Sequence, residues 1–98
     1  MDRNQILTIL KDHKKDISHR YHLKKLGIFG SYARQEETVA SDLDILIEFD
    51  GDVDSIFLLK LNLKKELQEL FQMPVDLCRE HQIKGIFKDQ ILKDAIYV

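Results

Sequence analysis

The chain has 98 residues, 44% hydrophobic and 33% charged, which fits one soluble globular domain spanning 1–98 and excludes a disordered polypeptide. Its charge is balanced and unsegregated, with eight Lys/Arg against eight Asp/Glu in residues 1–49 and seven against nine in 50–98; this excludes a dedicated nucleic-acid-binding domain, though not a nucleotide substrate. No apolar run approaches the ~18 residues of a membrane helix, the N-terminus lacks a signal peptide's features, and the single Cys78 fits a reducing compartment, so a cytoplasmic protein without membrane contact is expected.

Residues 3–16 place Ile6, Leu7, Ile9, Leu10 and Ile17 at helical spacing, with Lys11, Asp12, Lys14 and Lys15 on the other face, and predict an amphipathic helix. The basic residues from Lys11 to Lys25 are interrupted by Asp12 and Asp16 and read as a solvated face. His13, His19, His22 and His81 show no zinc-site spacing. A first strand is expected over 26–30 and a helical turn over 31–36. A second strand is expected over 42–49, where Leu43, Ile45, Ile47 and Phe49 alternate with Asp42, Asp44, Leu46 and Glu48 in the period of a half-buried strand.

Asp50-Gly51-Asp52-Val53-Asp54 lacks the glycine and glutamate of a calcium loop, because Ser55 and Leu61 occupy those positions. It reads as a turn, with Asp54 or Ser55 capping a helix over 54–71. That helix carries Ile56, Leu59, Leu63, Leu67, Leu70 and Phe71 as an apolar stripe. Phe57, Leu58 and Leu61 widen it beyond what one sheet face needs, which would suit a partner protein. Pro74 opens a short strand, Val75-Asp76-Leu77-Cys78, in which Asp76 faces opposite to Val75 and Leu77. Cys78 shares the face of Asp76 and reads as a small buried thiol. Residues 83–92 read as a last helix and 95–98 as an extended apolar end.

The chemistry lies in two of these elements. If Leu43, Ile45 and Ile47 face a core, Asp42 and Asp44 share the opposite face roughly 7 Å apart, within reach of one divalent cation that relieves their repulsion. Gly30 and Ser31 end an apolar strand at a helix start, where free N–H groups and a hydroxyl suit a phosphate. Gly30 can take φ > 0 without strain, and Arg34 could add a bidentate phosphate contact.

Gly30-Ser31, ten residues, then Asp42-Leu43-Asp44 resembles the signature of the polymerase-beta-like nucleotidyltransferase superfamily. Phe29-Gly30-Ser31-Tyr32-Ala33-Arg34 and Ser41-Asp42-Leu43-Asp44-Ile45-Leu46-Ile47 are similar to its minimal nucleotidyltransferases, typically antitoxins paired with HEPN-domain toxins. Gln35 stands where that family often has Gly after the Ala-Arg. The resemblance implies an α/β (α+β) fold with a small mixed β-sheet flanked by helices, and a third carboxylate, which Asp76 would supply.

The mechanism implied is Mg²⁺-dependent two-metal nucleotidyl transfer from ATP. Asp42, Asp44 and Asp76 would be the metal ligands and catalytic carboxylates, and Gly30, Ser31 and Arg34 the phosphate-binding residues. A chain this short leaves little room for an acceptor pocket, so the acceptor is expected to be a macromolecule. The resemblance implies a HEPN ribonuclease toxin modified with AMP on a tyrosine. The alternatives are a non-catalytic antitoxin acting by contact through the 54–71 helix, and a small-molecule nucleotidyltransferase of the aminoglycoside type.

Overall fold

The computed structural model describes all 98 residues. The elements are α1 (Arg3–Tyr21), β1 (Leu23–Phe29), α2 (Gly30–Arg34), β2 (Leu43–Phe49), α3 (Ile56–Phe71), β3 (Val75–Arg79), a single 3-10 turn (Glu80–Gln82), α4 (Gly85–Asp94) and β4 (Ile96–Tyr97). The strands form one mixed sheet in the order β3-β2-β1-β4. β1 runs antiparallel to β2 and to β4, whereas β2 and β3 are parallel. Parallel neighbours need a crossover, and α3 supplies it.

The first helix runs longer than the expected 3–16. Asp2 and Gln5 close a reciprocal capping box, each side chain meeting the other's backbone N–H at 2.9 Å. His22, left-handed at φ 57°, ends the helix five residues beyond the expected stop. The extra turn buries Ile17 and Tyr21 in line with Ile6 and Leu10. These residues join Leu26, Ile28, Leu43, Ile45, Ile47, Leu63, Leu67 and Phe71 in a core of 18 buried side chains on one face of the sheet. The Tyr21 hydroxyl donates to Glu66 at 3.0 Å and Arg20 pairs with the same carboxylate, tying α1 to α3.

β2 is not half-buried. Leu46 is fully buried and Glu48 is 8% exposed, although both lie on the face opposite Leu43, Ile45 and Ile47. The cause is topological: β2 is flanked by β1 and β3, and the second face is closed by the C-terminal elements, a placement that local alternation does not encode. Gly27, paired with Leu46 on one side and Tyr97 on the other, marks the close approach of the β4 edge strand, because any Cβ there would run into the backbone of Ile96 and Tyr97. Glu48 is held by the backbone N–H groups of Phe49 (2.9 Å) and His81 (2.8 Å) and by Arg79 (3.1 Å). Burial lifts its pKa, but these donors bring it below the ordinary carboxylate value.

The remaining boundaries differ from expectation by a few residues. β1 begins at Leu23 rather than 26, and a register irregularity between Leu23 and Lys25 accommodates the early start. Ser55 does stand at the N-cap of α3, yet it sits in the left-handed region at φ 58° and its side chain makes no capping hydrogen bond. On α3, Phe57, Leu58 and Leu61 are 77%, 55% and 52% exposed, so the widened stripe is indeed uncovered.

Candidate active site

Three strand ends converge at one edge of the sheet. Phe29, the last residue of β1, pairs with Asp44 near the start of β2, and Asp44 pairs in parallel register with Asp76 near the start of β3. Directly paired residues on adjacent strands lie on the same face about 4.8 Å apart, so the two carboxylates are close neighbours. Asp42 lies just before β2, exposed, rather than within it. Asp76 is also exposed, whereas Asp44 is half-buried.

Gly30 follows at once from β1, at φ 70° and at the first position of α2. Its bare Cα is where the Asp44 carboxylate rests: a Cβ built on Gly30 would overlap Oδ2 of Asp44. Gly30 is therefore required twice, by its backbone conformation and by the close approach of a side chain. Ser31 is next on α2, partly exposed. Gln35 ends this short helix in the left-handed region at φ 60°, so the turn keeps a glycine-like conformation without a glycine.

The charges are unbalanced at this edge. Burial, then the charges of Asp76 and Asp42, push the Asp44 carboxyl up to about 6, and only Arg34 opposes them. Arg34 is itself engaged, with Nε on Glu36 at 3.1 Å and a terminal nitrogen on Asp94 of α4 at 3.1 Å. Sequence reasoning gave Arg34 a phosphate and missed these partners; Asp94 lies 60 residues away, and no local signal marks the pairing. Cys78, two residues beyond Asp76, is partly buried, and burial followed by the Asp76 charge raises its pKa. It is no activated nucleophile.

No group of three His, Cys, Asp or Glu side chains forms a ready-made cage for a metal ion. The donors nonetheless suit magnesium. They are hard carboxylate oxygens carrying uncompensated like charge, and Mg²⁺ is ordinarily held by one or two carboxylates together with substrate phosphates rather than by an all-protein cage. Asp44 with Asp42 fits that pattern, and Asp76 stands beside them.

Beyond Asp76, α3 adds a feature that the sequence reading did not single out. Phe57, Lys60, Leu61 and Lys64 share one helical face and, with Asp76 and Leu77, line a cleft of about 310 Å³. Their spacing of i, i+3, i+4 and i+7 was the available signal.

The profile of the nucleotidyltransferase domain family matches residues 10–98. A provisionally named protein adenylyltransferase of Methanocaldococcus jannaschii is 41% identical over 97 residues, covering 97% of this chain and 96% of its own. The protein adenylyltransferase MntA of Thermococcus cleftensis is 34% identical, covering 96% and 93%. Among solved structures, a protein described as a minimal nucleotidyltransferase superposes with a TM-score of 0.80 at 28% identity, covering 98% of this chain and 95% of that one. A tri-AMPylated Shewanella oneidensis HEPN toxin in complex with MNT antitoxin gives a TM-score of 0.58 at 20% identity, covering 97% and 66%, a likeness of fold.

Proposed function

The chain belongs to the nucleotidyltransferase domain family, among its minimal nucleotidyltransferases, and from that premise we propose that it transfers AMP from ATP to a tyrosine of a HEPN-domain toxin, acting as the antitoxin of the pair. The observation that carries this reading is the Asp44 carboxylate, seated on Gly30 and crowded by Asp76 and Asp42. A protein gains nothing in stability by gathering two further acidic groups around a half-buried one; such a cluster is built for a cationic ligand.

In this reading Asp42, Asp44 and Asp76 would be the residues that hold the two Mg²⁺ ions. The ions, when bound, supply charge neutralisation at the leaving pyrophosphate and acidify the acceptor hydroxyl. The chain's own residues do the positioning. The backbone at Gly30 and the Ser31 hydroxyl hold the β- and γ-phosphates. Arg34, fixed by Asp94 and Glu36, adds positive charge beside Asp44. No side chain forms a covalent intermediate; the work is orientation and electrostatics. The partly buried single cysteine suits a cytoplasmic setting.

A second reading, inhibition by contact, draws on the exposed Phe57, Leu58 and Leu61 of α3 and Ile86 and Phe87 of α4. The two readings separate in one experiment. Mass spectrometry of the partner toxin after incubation with this chain, ATP and Mg²⁺ should locate AMP on a tyrosine; an unmodified but inhibited toxin would favour contact alone.

A further inference from the structure

The strand that carries Asp76 is five residues long and forms one edge of the sheet, paired with β2 alone. Short edge strands fray from their ends, and Asp76 is the second residue of this one. A single peptide group holds the strand's start. The C=O and N–H of a trans peptide point opposite ways, and both poles of the Pro74–Val75 peptide are engaged. The Pro74 carbonyl accepts from the Leu43 N–H at 3.0 Å, on the β2 side. Leu43 stands between Asp42 and Asp44 in the chain and pairs with Val75. The Val75 N–H points away from β2 and donates to Oε1 of Gln68, on α3, at 3.1 Å. Pro74 has no N–H of its own, so Val75 carries the first donor of the strand. Gln68 stands in for a neighbouring strand at the open edge.

We infer that Gln68 is a positioning residue for Asp76: through the Val75 N–H it keeps the start of β3 in register, and so fixes the spacing of Asp76 from Asp44 and Asp42. The inference rests on the AMP-transfer reading above. Strand order separates its consequences from those of the phosphate-binding residues. Gly30 and Ser31 follow β1, on the other side of β2 from Asp76. A displaced Asp76 therefore weakens the chemical step and leaves the triphosphate's hold at Gly30 and Ser31 in place. An ordinary tie between helix and sheet has no such selectivity. The Tyr21 hydroxyl, bonded to Glu66 of α3 at 3.0 Å, is a tie of that kind. Tyr21 precedes the start of β1, at the end of the strand opposite to Gly30.

Gln68 is only partly buried, so it can be varied without opening the core. Gln68→Met keeps the length of the side chain and removes its acceptor, whereas Gln68→Glu keeps an acceptor oxygen. In the metal-free chain, amide exchange followed by NMR should quicken about 5-fold or more at Val75 and Asp76 in Gln68→Met, as loss of one hydrogen bond implies. Exchange in Gln68→Glu should stay near the wild-type rate. In AMP transfer to the partner toxin with Mg²⁺, Gln68→Met should lower kcat about 10-fold and leave the KM for ATP within about 2-fold of wild type. Gln68→Glu should recover most of that kcat, and Tyr21→Phe should leave kcat unchanged. The proposal is overturned if Val75 exchanges no faster in Gln68→Met, or if that variant lowers kcat no more than Tyr21→Phe does. It is equally overturned if KM rises as far as kcat falls, or if Gln68→Glu recovers nothing. A toxin left unmodified by the wild type sinks the AMP-transfer reading itself, and the role of Gln68 with it, even where amide exchange behaves as expected.

Discussion

The Asp44 carboxylate lies against the Cα of Gly30, so closely that residue 30 can carry no side chain at all. One contact thus couples the loop that would cradle phosphate to the carboxylate that would hold metal. Gly30→Ala adds a clash to the strain of φ 70°. It should cost about 1–3 kcal/mol of stability and displace Asp44. Chemical denaturation and AMP transfer, measured on the same preparation, should both register the change, with transfer reduced by at least about 100-fold, as a misplaced catalytic group implies.

Asp44 should behave as a strained acid. Its folded-state pKa, about 6, lies above the ordinary value, so the folded chain binds that proton more tightly than the unfolded chain does. The ionised group therefore lowers stability above pH 6, and the penalty fades as pH falls through 6 towards 4. Asp44→Asn should raise metal-free stability at pH 7.5 by about 1 kcal/mol, a figure discounted for the group's partial exposure, with no gain near pH 4. Mg²⁺ affinity of the wild type should weaken as pH drops below 6, and calorimetric titration at pH 5.5 and 7.5 would show it.

Glu48 has the opposite character. It is buried and fully engaged by Arg79, Phe49 and His81, so removing it strands a partly buried guanidinium and two N–H groups. Glu48→Ala should cost about 3–5 kcal/mol, and Glu48→Gln less. Because its pKa is lowered in the fold, its contribution is present above the ordinary carboxylate range and is lost as pH falls through the folded value. A urea titration series from pH 7 to pH 3 would follow that loss.

Asp94→Asn tests the long-range support of Arg34. The pair is partly exposed, 39% at the arginine and 14% at the aspartate, so stability should change by less than about 1 kcal/mol. The KM for ATP should nevertheless rise several-fold as Arg34 loses its orientation, with kcat changed less. Equal KM values would remove Arg34 from the phosphate site.

Much of the site was legible in the sequence because its geometry is local. The spacing from Gly30 to Asp44 turns one strand end back onto the next strand's start, and the alternation around Asp44 and Asp76 sets their common face. The remainder depends on which elements meet. The same alternation gave Glu48 to solvent, but the C-terminal elements cover that face. Arg34 was assigned to a phosphate without Asp94, because a contact across 60 residues leaves no local trace. The exposed stripe of Phe57, Leu58 and Leu61 could be read from surplus apolar residues on α3, yet not that Lys60 and Lys64 would face Asp76.

The most direct measurement is transfer of label from α-labelled ATP, with Mg²⁺, to the HEPN-type partner, comparing the wild type with Asp42→Asn/Asp44→Asn. The account predicts labelled and silenced partner with the wild type, and neither with the double variant. Partner silenced equally by both proteins, with no label on it, would contradict the account and leave an antitoxin that works by contact.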